Sequence, residues 1–380
     1  MEAAPLVIVG SGLAGWTTAR EFRKLDRETR VMLITGDSGD FYSKPMLSNA
    51  FATGRAPAQL VTTPAAQMAR ELNVELLSRA RVTALDVEKQ KVETSAGSYP
   101  YSRLVLALGA DPIRLPLGGD GAQEVLSVND LEDYARLRHV LKGARRVLIL
   151  GAGLIGCEFA NDLAGAGFQV TVADPALRPL AALAPEPAGA ALAEGLAAGG
   201  VRWRLGAAAQ TVERAAAGYR VTLSDGAGVD ADAVISAVGL RPRITLAREA
   251  GLAVNRGIVV DAFLRTSAGN VHALGDCAEI GTRVRPYVLP IMHAARGLAR
   301  TLAGEPTEVL FPPMPVVVKT PACPLVVHPV EAGESGAWSV VERENGVKMI
   351  FSDGASRVRG FALTGPRAAE RGAMTRLLAA

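Results

Sequence analysis

Two G-x-G-x-x-G turns constrain this chain more than any other feature. The first is Gly10, Gly12 and Gly15; the second is Gly151, Gly153 and Gly156. Each follows a continuous apolar run, residues 6–9 and 147–150, suited to a strand buried on both faces. In such a turn the first glycine permits the reversal and the second lets a pyrophosphate approach the backbone. The third lets the following helix pack on the strand. The helix then meets the phosphates with its free N–H groups and positive end. One fingerprint in a chain with 40 glycines is weak evidence, but a duplicated unit is far more specific.

The second copy is complete. Leu154 and Ile155 lie in its turn, Gly167 closes the helix, and residues 170–173 form the next strand. Asp174 ends that strand, where a carboxylate binds a ribose diol. The first copy runs through a helix at 16–25 to a strand at 31–35. Its acid is not settled by spacing: the place matching Asp174 falls near Thr35 and Gly36, with Asp37 just beyond.

Both halves share a longer plan. A small antiparallel insertion is expected at 80–101 and another at 201–231, the latter counting the strand at 201–205 as a member, and each half closes with an apolar strand. Those strands end at Gly109 and Gly239, where glycine lets the chain pass close to a nucleotide. Helices are expected at 60–72, 130–141, after Pro187 and at 292–302. Pro116 with Gly118, Gly119 and Gly121 reads as a linker. From Phe311 prolines interrupt short strands, and a third, α+β domain of about 70 residues follows. The plan divides the chain into 1–115 with 240–310, then 116–239, then 311–380.

Composition excludes several classes of function. Of 380 residues 49% are hydrophobic and 21% charged, as in a soluble globular protein. No apolar run reaches the roughly 18 residues of a membrane span. The N-terminus passes into a strand with no basic leader, so a cytoplasmic protein is expected. A net charge of +3 with dispersed Lys and Arg gives no footprint for nucleic acid. Cys157, Cys277 and Cys323 show no paired spacing, and with four scattered histidines no metal site is expected. Cys157 and Cys277 read as small buried residues.

Three places stay open on residues alone. The loop DFYSKPMLSNAF, 40–51, carries Lys44-Pro45 as a fixed turn with a cation and a possible helix start at 47–51. It fits an ordinary loop and a ligand-lining one equally. Glu158, just past Gly156, is either a helix-surface charge or a site carboxylate. Asp276, after a strand at 271–274, is either a helix N-cap or a ligand to a hydroxyl.

Both fingerprints, the ALGA and AVGLRP strand ends and TSAGNVHALGDCAE together resemble the two-dinucleotide flavoprotein disulfide reductase superfamily. YSKPMLS and VKTPACPL are similar to its rubredoxin and ferredoxin reductase branch, including the type serving flavorubredoxin nitric oxide reductase. The resemblance covers essentially the whole chain. It implies an α/β fold of two Rossmann-like dinucleotide-binding domains, each with a small antiparallel insertion, plus the small α+β C-terminal domain. The first domain would bind FAD and the second NAD(P)H. Gly10, Ser11, Gly12, Leu13 and Ala14 would hold the FAD pyrophosphate, with Asp37 and Gly109 counted in that site. Lys44 and Pro45 would lie beside the flavin, the Val82 backbone at the adenine, Asp276 at the ribityl chain, and Val288 near the ring. Lys319 would reach the isoalloxazine, and Glu158 would lie where nicotinamide stacks. Lys44, Glu158 and Lys319 are the expected catalytic residues. Gly151, Gly153, Leu154, Ile155, Gly156, Asp174 and Gly239 would bind NAD.

One departure from the superfamily is informative. Its disulfide reductases need a C-x4-C pair beside the flavin, and this first domain contains no cysteine. Electrons would therefore leave to an external acceptor. The expected activity is hydride transfer from NADH to FAD and single-electron delivery to rubredoxin, as in alkane hydroxylation or nitric oxide defence. Asp174 favours NADH because a carboxylate repels a 2′-phosphate, while Arg178 nearby could accommodate one. The alternatives are a ferredoxin reductase feeding an oxygenase and a flavin-bound redox sensor. A monomer is expected.

Overall fold

The structure is a computed structural model describing residues 4–331 and 333–378. Residues 1–3, on which the leader reading rests in part, lie outside them. The chain forms two compact units. One takes the residues up to Lys44, Ala58–Asp111 and Leu240–Phe311; the other takes Pro45–Pro57, Pro112–Gly239 and the residues from Pro312 on.

The first unit is built on a five-stranded parallel sheet. Its order is Val271–Ala273, Arg103–Leu106, Leu6–Val9, Val31–Ile34, Glu75–Leu77. Leu6, Val7 and Ile8 have no exposed surface, as expected of a central strand covered on both faces. Helix Leu13–Arg23 buries Trp16, Ala19 and Phe22, three apart and so on one side. The Trp16 indole N–H donates to the Gly39 carbonyl at 2.8 Å, which satisfies its polar atom inside the core. Against this helix packs Val288–Leu302, which buries Ile291, Ala294, Ala295, Leu298, Ala299 and Leu302. That is a helical stripe in which alanine allows close approach, and each large side chain buried contributes about 2 kcal/mol. Strands Val82–Asp86, Lys91–Thr94 and Gly97–Pro100 form the antiparallel insertion.

Several local expectations are corrected. The helix at 292–302 begins at Val288, because Pro290 falls in the first turn, where its missing N–H has no helical partner to lose. The expected helix at 60–72 is split. Pro57–Leu60 is one short helix, Val61–Thr63 pairs with Phe41–Tyr42, and Ala65–Glu71 is a second helix. Pro64 explains the break, since it forces Thr63 into an extended conformation. No helix starts at 47–51; Lys44–Met46 is a single 3-10 turn.

The second unit repeats the scheme with a four-stranded parallel sheet. The order is Arg202–Leu205, Gln169–Asp174, Arg146–Leu150, Ala233–Ser236. Its insertion is the antiparallel set Ala209–Arg214, Tyr219–Leu223, Gly228–Ala231. The strand expected in that set at 201–205 instead pairs parallel with Gln169–Asp174, because it leads out of helix Glu186–Ala198 as the next strand of the βαβ unit. Beyond Pro312 a five-stranded antiparallel sheet carries helix Arg371–Leu378, with Met374 packed on Val326, Phe361 and Leu363. The chain therefore has two Rossmann-like dinucleotide-binding folds and a smaller α+β C-terminal domain. No helix among the described residues is long and apolar enough to cross a membrane.

His272 sits on the edge strand of the first parallel sheet, only 4% exposed. Burial pushes its pKa down to about 4 from 6.5. The folded state thus keeps a neutral imidazole while the unfolded chain binds a proton, so stability is lost as pH falls from 6.5 to 4. Over that window the loss is roughly 3 kcal/mol. Chemical denaturation between pH 7 and 4 checks this: His272→Leu should flatten the decline, and an unchanged pH slope would exclude His272 as its source.

Candidate active site

In the first unit the C-terminal ends of the parallel strands gather at the first glycine turn. Gly10 has φ +110°, and a Cβ there would lie 2.2 Å from the Ala107 carbonyl oxygen. A Cβ on Gly15 would lie 1.8 Å from the Gly10 oxygen, so helix and turn touch through backbone. Gly12 differs, because nothing lies within 4 Å of where its Cβ would be. It is the N-cap of helix Leu13–Arg23, and no side chain caps the N–H groups there. Open space against uncapped N–H groups fits a phosphate. Ser11 and Ala14 are buried and Leu13 half-buried.

Asp37 is the carboxylate that stands beside the first glycine turn. Its Oδ1 accepts from Ser11 Oγ at 2.8 Å, Thr35 Oγ1 at 2.7 Å and the Gly39 N–H at 2.9 Å. It ties the glycine turn to the end of the second strand. Asp276 belongs to the 3-10 turn Gly275–Cys277, and a Cβ on Gly275 would lie 2.9 Å from Ala14 Cβ. This seats Asp276 at the start of the glycine-turn helix. Burial pushes its carboxyl up, and Lys44 and Arg243 pull it back. The helix-cap reading of Asp276 is not met. Strand Ala278–Ile280 follows it, and the next helix begins only at Val288. The Gly109 carbonyl accepts from the Arg243 N–H at 3.1 Å, and Val82 and Val288 are half-buried at the starts of their elements.

The second unit has the same cradle. Gly151 has φ +105°, a Cβ on Gly156 would lie 1.9 Å from the Gly151 oxygen, and nothing lies within 4 Å of a Cβ on Gly153. Helix Leu154–Gly165 likewise has no side-chain cap. Leu154 is half-buried, Ile155 exposed, and the Gly239 carbonyl accepts from the Ile113 N–H at 3.0 Å. Asp174 Oδ2 accepts from the Ala152 N–H at 2.6 Å and Oδ1 from Ala176 at 2.7 Å. Each oxygen keeps a further lone pair for a hydroxyl. Arg178 is committed elsewhere: its guanidinium donates to the carbonyls of Ala184 at 2.7 Å and Ala181 at 3.2 Å.

Helix Leu154–Gly165 also carries Glu158, Asn161 and Asp162, whose i, i+3, i+4 spacing puts them on one face. Glu158 is not a surface charge; its side chain is 0% exposed. Its Oε1 accepts from the Lys319 backbone N–H at 2.9 Å. Its Oε2 accepts from Ser48 Oγ at 2.6 Å, Lys319 Nζ at 3.1 Å and Asn49 Nδ2 at 3.2 Å. Lys319 Nζ also donates to the Pro45 carbonyl at 2.5 Å. A buried carboxylate without partners would cost several kcal/mol, and these four donors make it tenable. One turn on, Asp162 accepts from the backbone N–H groups of Phe51 at 2.8 Å and Ala52 at 3.1 Å. Asn161 accepts from the Ala322 N–H at 3.0 Å. Pro45, Glu158 and Lys319, predicted separately, thus meet in one cluster, whereas Lys44 belongs to the first unit with Asp276.

The thiols offer no relay. Cys157 is pushed up to about 12 by burial, with Asp174 and Glu158 adding to it, and burial pushes Cys277 up to about 11. Burial also raises Cys323. None is a thiolate at neutral pH.

Residues 4–297 match the pyridine nucleotide-disulphide oxidoreductase family. The chain belongs to this family. Its residues 308–378 match the rubredoxin binding C-terminal domain, which places this oxidoreductase in the rubredoxin reductase branch. It is 50% identical to the rubredoxin-NAD(+) reductase of Alcanivorax borkumensis, over 97% of this chain and 96% of that one. It is 44% identical to the rubredoxin-NAD(+) reductase of Acinetobacter baylyi, over 97% and 95%. Among solved structures it is similar to a putidaredoxin reductase in covalent complex with putidaredoxin. The TM-score is 0.90 at 26% identity, covering 99% of this chain and 93% of that one. As a pyridine nucleotide-disulphide oxidoreductase it is an FAD-dependent NAD(P)H enzyme.

Ser48, Asn49 and Asp162 were not singled out from sequence. For Asp162 a signal existed, since it stands one helical turn from Glu158. Ser48 and Asn49 carried none, because their partner lies 110 and 109 positions away.

Proposed function

We propose that this enzyme oxidises NADH and delivers the electrons singly to rubredoxin, with FAD as its resident carrier. When bound, FAD would supply the chemistry needed to join a two-electron donor to a one-electron acceptor. In this reading residues 1–115 with 240–310 form the FAD domain, 116–239 the NAD domain, and 311–380 the C-terminal domain. Gly10, Ser11, Gly12, Leu13 and Ala14 bind the FAD pyrophosphate, with Asp37, Val82, Gly109 and Asp276 on the ribose, adenine and ribityl parts. Lys44, Pro45 and Val288 line the ring. Gly151, Gly153, Leu154, Ile155, Gly156 and Gly239 bind the NADH backbone, and Asp174 its ribose diol. Lys319 is the cation that stabilises charge on the reduced carrier, and Glu158 holds that cation while facing the nicotinamide.

The observation carrying the acceptor is the rubredoxin-binding pattern at 308–378 joined to three buried, unpaired thiols. Electrons then have no internal disulfide to reduce. The buried, unpaired cysteines also support a reducing cytoplasmic setting. A ferredoxin-type acceptor is the second reading, favoured by the likeness to a putidaredoxin reductase along nearly the whole chain.

The test is NADH oxidation by the FAD-loaded protein with oxidised rubredoxin, against a [2Fe–2S] ferredoxin at equal concentration. Fast, salt-sensitive rubredoxin reduction with slow ferredoxin turnover is the expected result, as for an electrostatically steered encounter. The reverse ranking would move the protein to the ferredoxin class. In the same assay kcat/KM for NADH should exceed that for NADPH at least tenfold, an advantage of about 1.4 kcal/mol. Asp174 repels the 2′-phosphate, and Arg178 is held by carbonyls. A preference for NADPH would remove Asp174 from that role.

A further inference from the structure

The hydrogen bonds around Glu158 form a circuit whose parts are not equivalent. The Ser48 hydroxyl has one proton, and its two acceptors within reach are Glu158 Oε2 at 2.6 Å and the Pro45 carbonyl at 3.4 Å. The short contact takes the proton. The Pro45 carbonyl then accepts chiefly from Lys319 Nζ at 2.5 Å, with Asn49 Nδ2 at 3.5 Å, and the same Asn49 nitrogen lies 3.1 Å from Ser48 Oγ. Lys319 Nζ therefore bridges Pro45 and Glu158, while Ser48 and Asn49 supply neutral donors to the same carboxylate oxygen. Ser48 is 2% exposed and Glu158 wholly buried, so no solvent stands in for a missing donor. Asp162, one turn on, is the other charge near this group, and the N–H groups of Phe51 and Ala52 hold it.

We infer that Ser48, aided by Asn49, is a positioning residue that sets how much of the Lys319 charge is felt at the redox centre. This rests on the proposed roles of Glu158 and Lys319 beside bound FAD. The hydroxyl dipole screens Glu158 without adding charge. Lys319 therefore need not collapse onto the carboxylate and keeps its hold on Pro45. With Ser48 removed, Glu158 is less screened and draws the ammonium to itself. The local potential becomes more negative, and reduction of FAD becomes harder.

The experiment is an equilibrium reductive titration of the FAD-loaded protein against a reference dye. Ser48→Ala should lower the reduced-to-oxidised ratio at the wild-type midpoint about tenfold, a shift of about 30 mV for a two-electron couple. Ser48→Thr, which keeps the hydroxyl, should titrate as wild type. Glu158→Gln should raise the ratio, and adding Ser48→Ala to it should change nothing further. An unchanged ratio in Ser48→Ala, or the same shift in the Glu158→Gln background, overturns the role of Ser48. If Glu158→Gln does not move the ratio, it is the reading of Glu158 and Lys319 that fails. Should Ser48→Ala not accumulate as folded protein, Asn49→Leu removes the second donor instead. It should give a smaller shift of the same sign that Glu158→Gln abolishes, and no shift would again overturn the proposal.

Discussion

Gly153→Val should purify yellow, melt within about 2 °C of wild type, and resist reduction by NADH. Gly153 has φ −73° and ψ −173°, an extended conformation open to any residue, and nothing lies within 4 Å of the position its Cβ would take. The substitution therefore meets no protein atom at Cβ. What the isopropyl group covers is the uncapped N-terminus of helix Leu154–Gly165, where the dinucleotide phosphates are proposed to sit. Losing those contacts and the close approach should lower the rate of reduction by NADH on the order of a thousandfold, about 4 kcal/mol. Dithionite should still bleach the protein, separating loss of the donor site from loss of the carrier. Gly156→Val is the contrasting control. Its Cβ would lie 1.9 Å from the Gly151 oxygen, so the strand–turn–helix unit must deform and folding itself should fail. A colourless Gly153→Val protein would mean that the two nucleotide sites are assigned the wrong way round.

The mirror substitution in the first copy should give the opposite phenotype. Gly12→Val has the same open Cβ position and the same extended backbone, φ −66° and ψ −171°. The protein should fold but emerge without colour, because the first cradle is proposed to hold the FAD pyrophosphate. Its melting temperature should fall below that of FAD-loaded wild type and match that of the wild-type apoprotein. Ligand at a thousand times its dissociation constant stabilises a fold by about 4 kcal/mol. The absorbance near 450 nm relative to 280 nm after gel filtration decides the matter. A fully yellow Gly12→Val protein would remove the first turn from the carrier site.

Much of this site was legible because its signals are local. Each glycine turn needs a strand, three glycines and a helix within a short stretch, and both turns fold as their spacing implies. Asp37 was within reach but not settled, because two short residues, Thr35 and Gly36, stand where its counterpart does in the second copy. The bonds from Ser11, Thr35 and Gly39 draw it to the glycine turn. The helix expected from residue 292 starts at Val288, with Pro290 harmless in its first turn, whereas Pro64 broke the helix expected at 60–72.

Sequence by itself determined the duplicated dinucleotide-binding scheme, the first antiparallel insertion and the three strands of the second beyond residue 209, the C-terminal domain and the want of a thiol relay. These follow from periodicity, glycine spacing and cysteine count, all of which act over a few residues or by composition. Tertiary structure alone decided the state of Glu158. Whether a carboxylate on a helix faces water or sits buried under Ser48, Asn49 and Lys319 depends on which distant segments cover that face. Pairing across 109 to 161 positions leaves no trace in local spacing. The same holds for Arg178, whose guanidinium the fold sets on two carbonyls that no local spacing announces. For buried charge, the partners brought by packing set the chemistry, because desolvation makes their presence or absence worth more than any local preference.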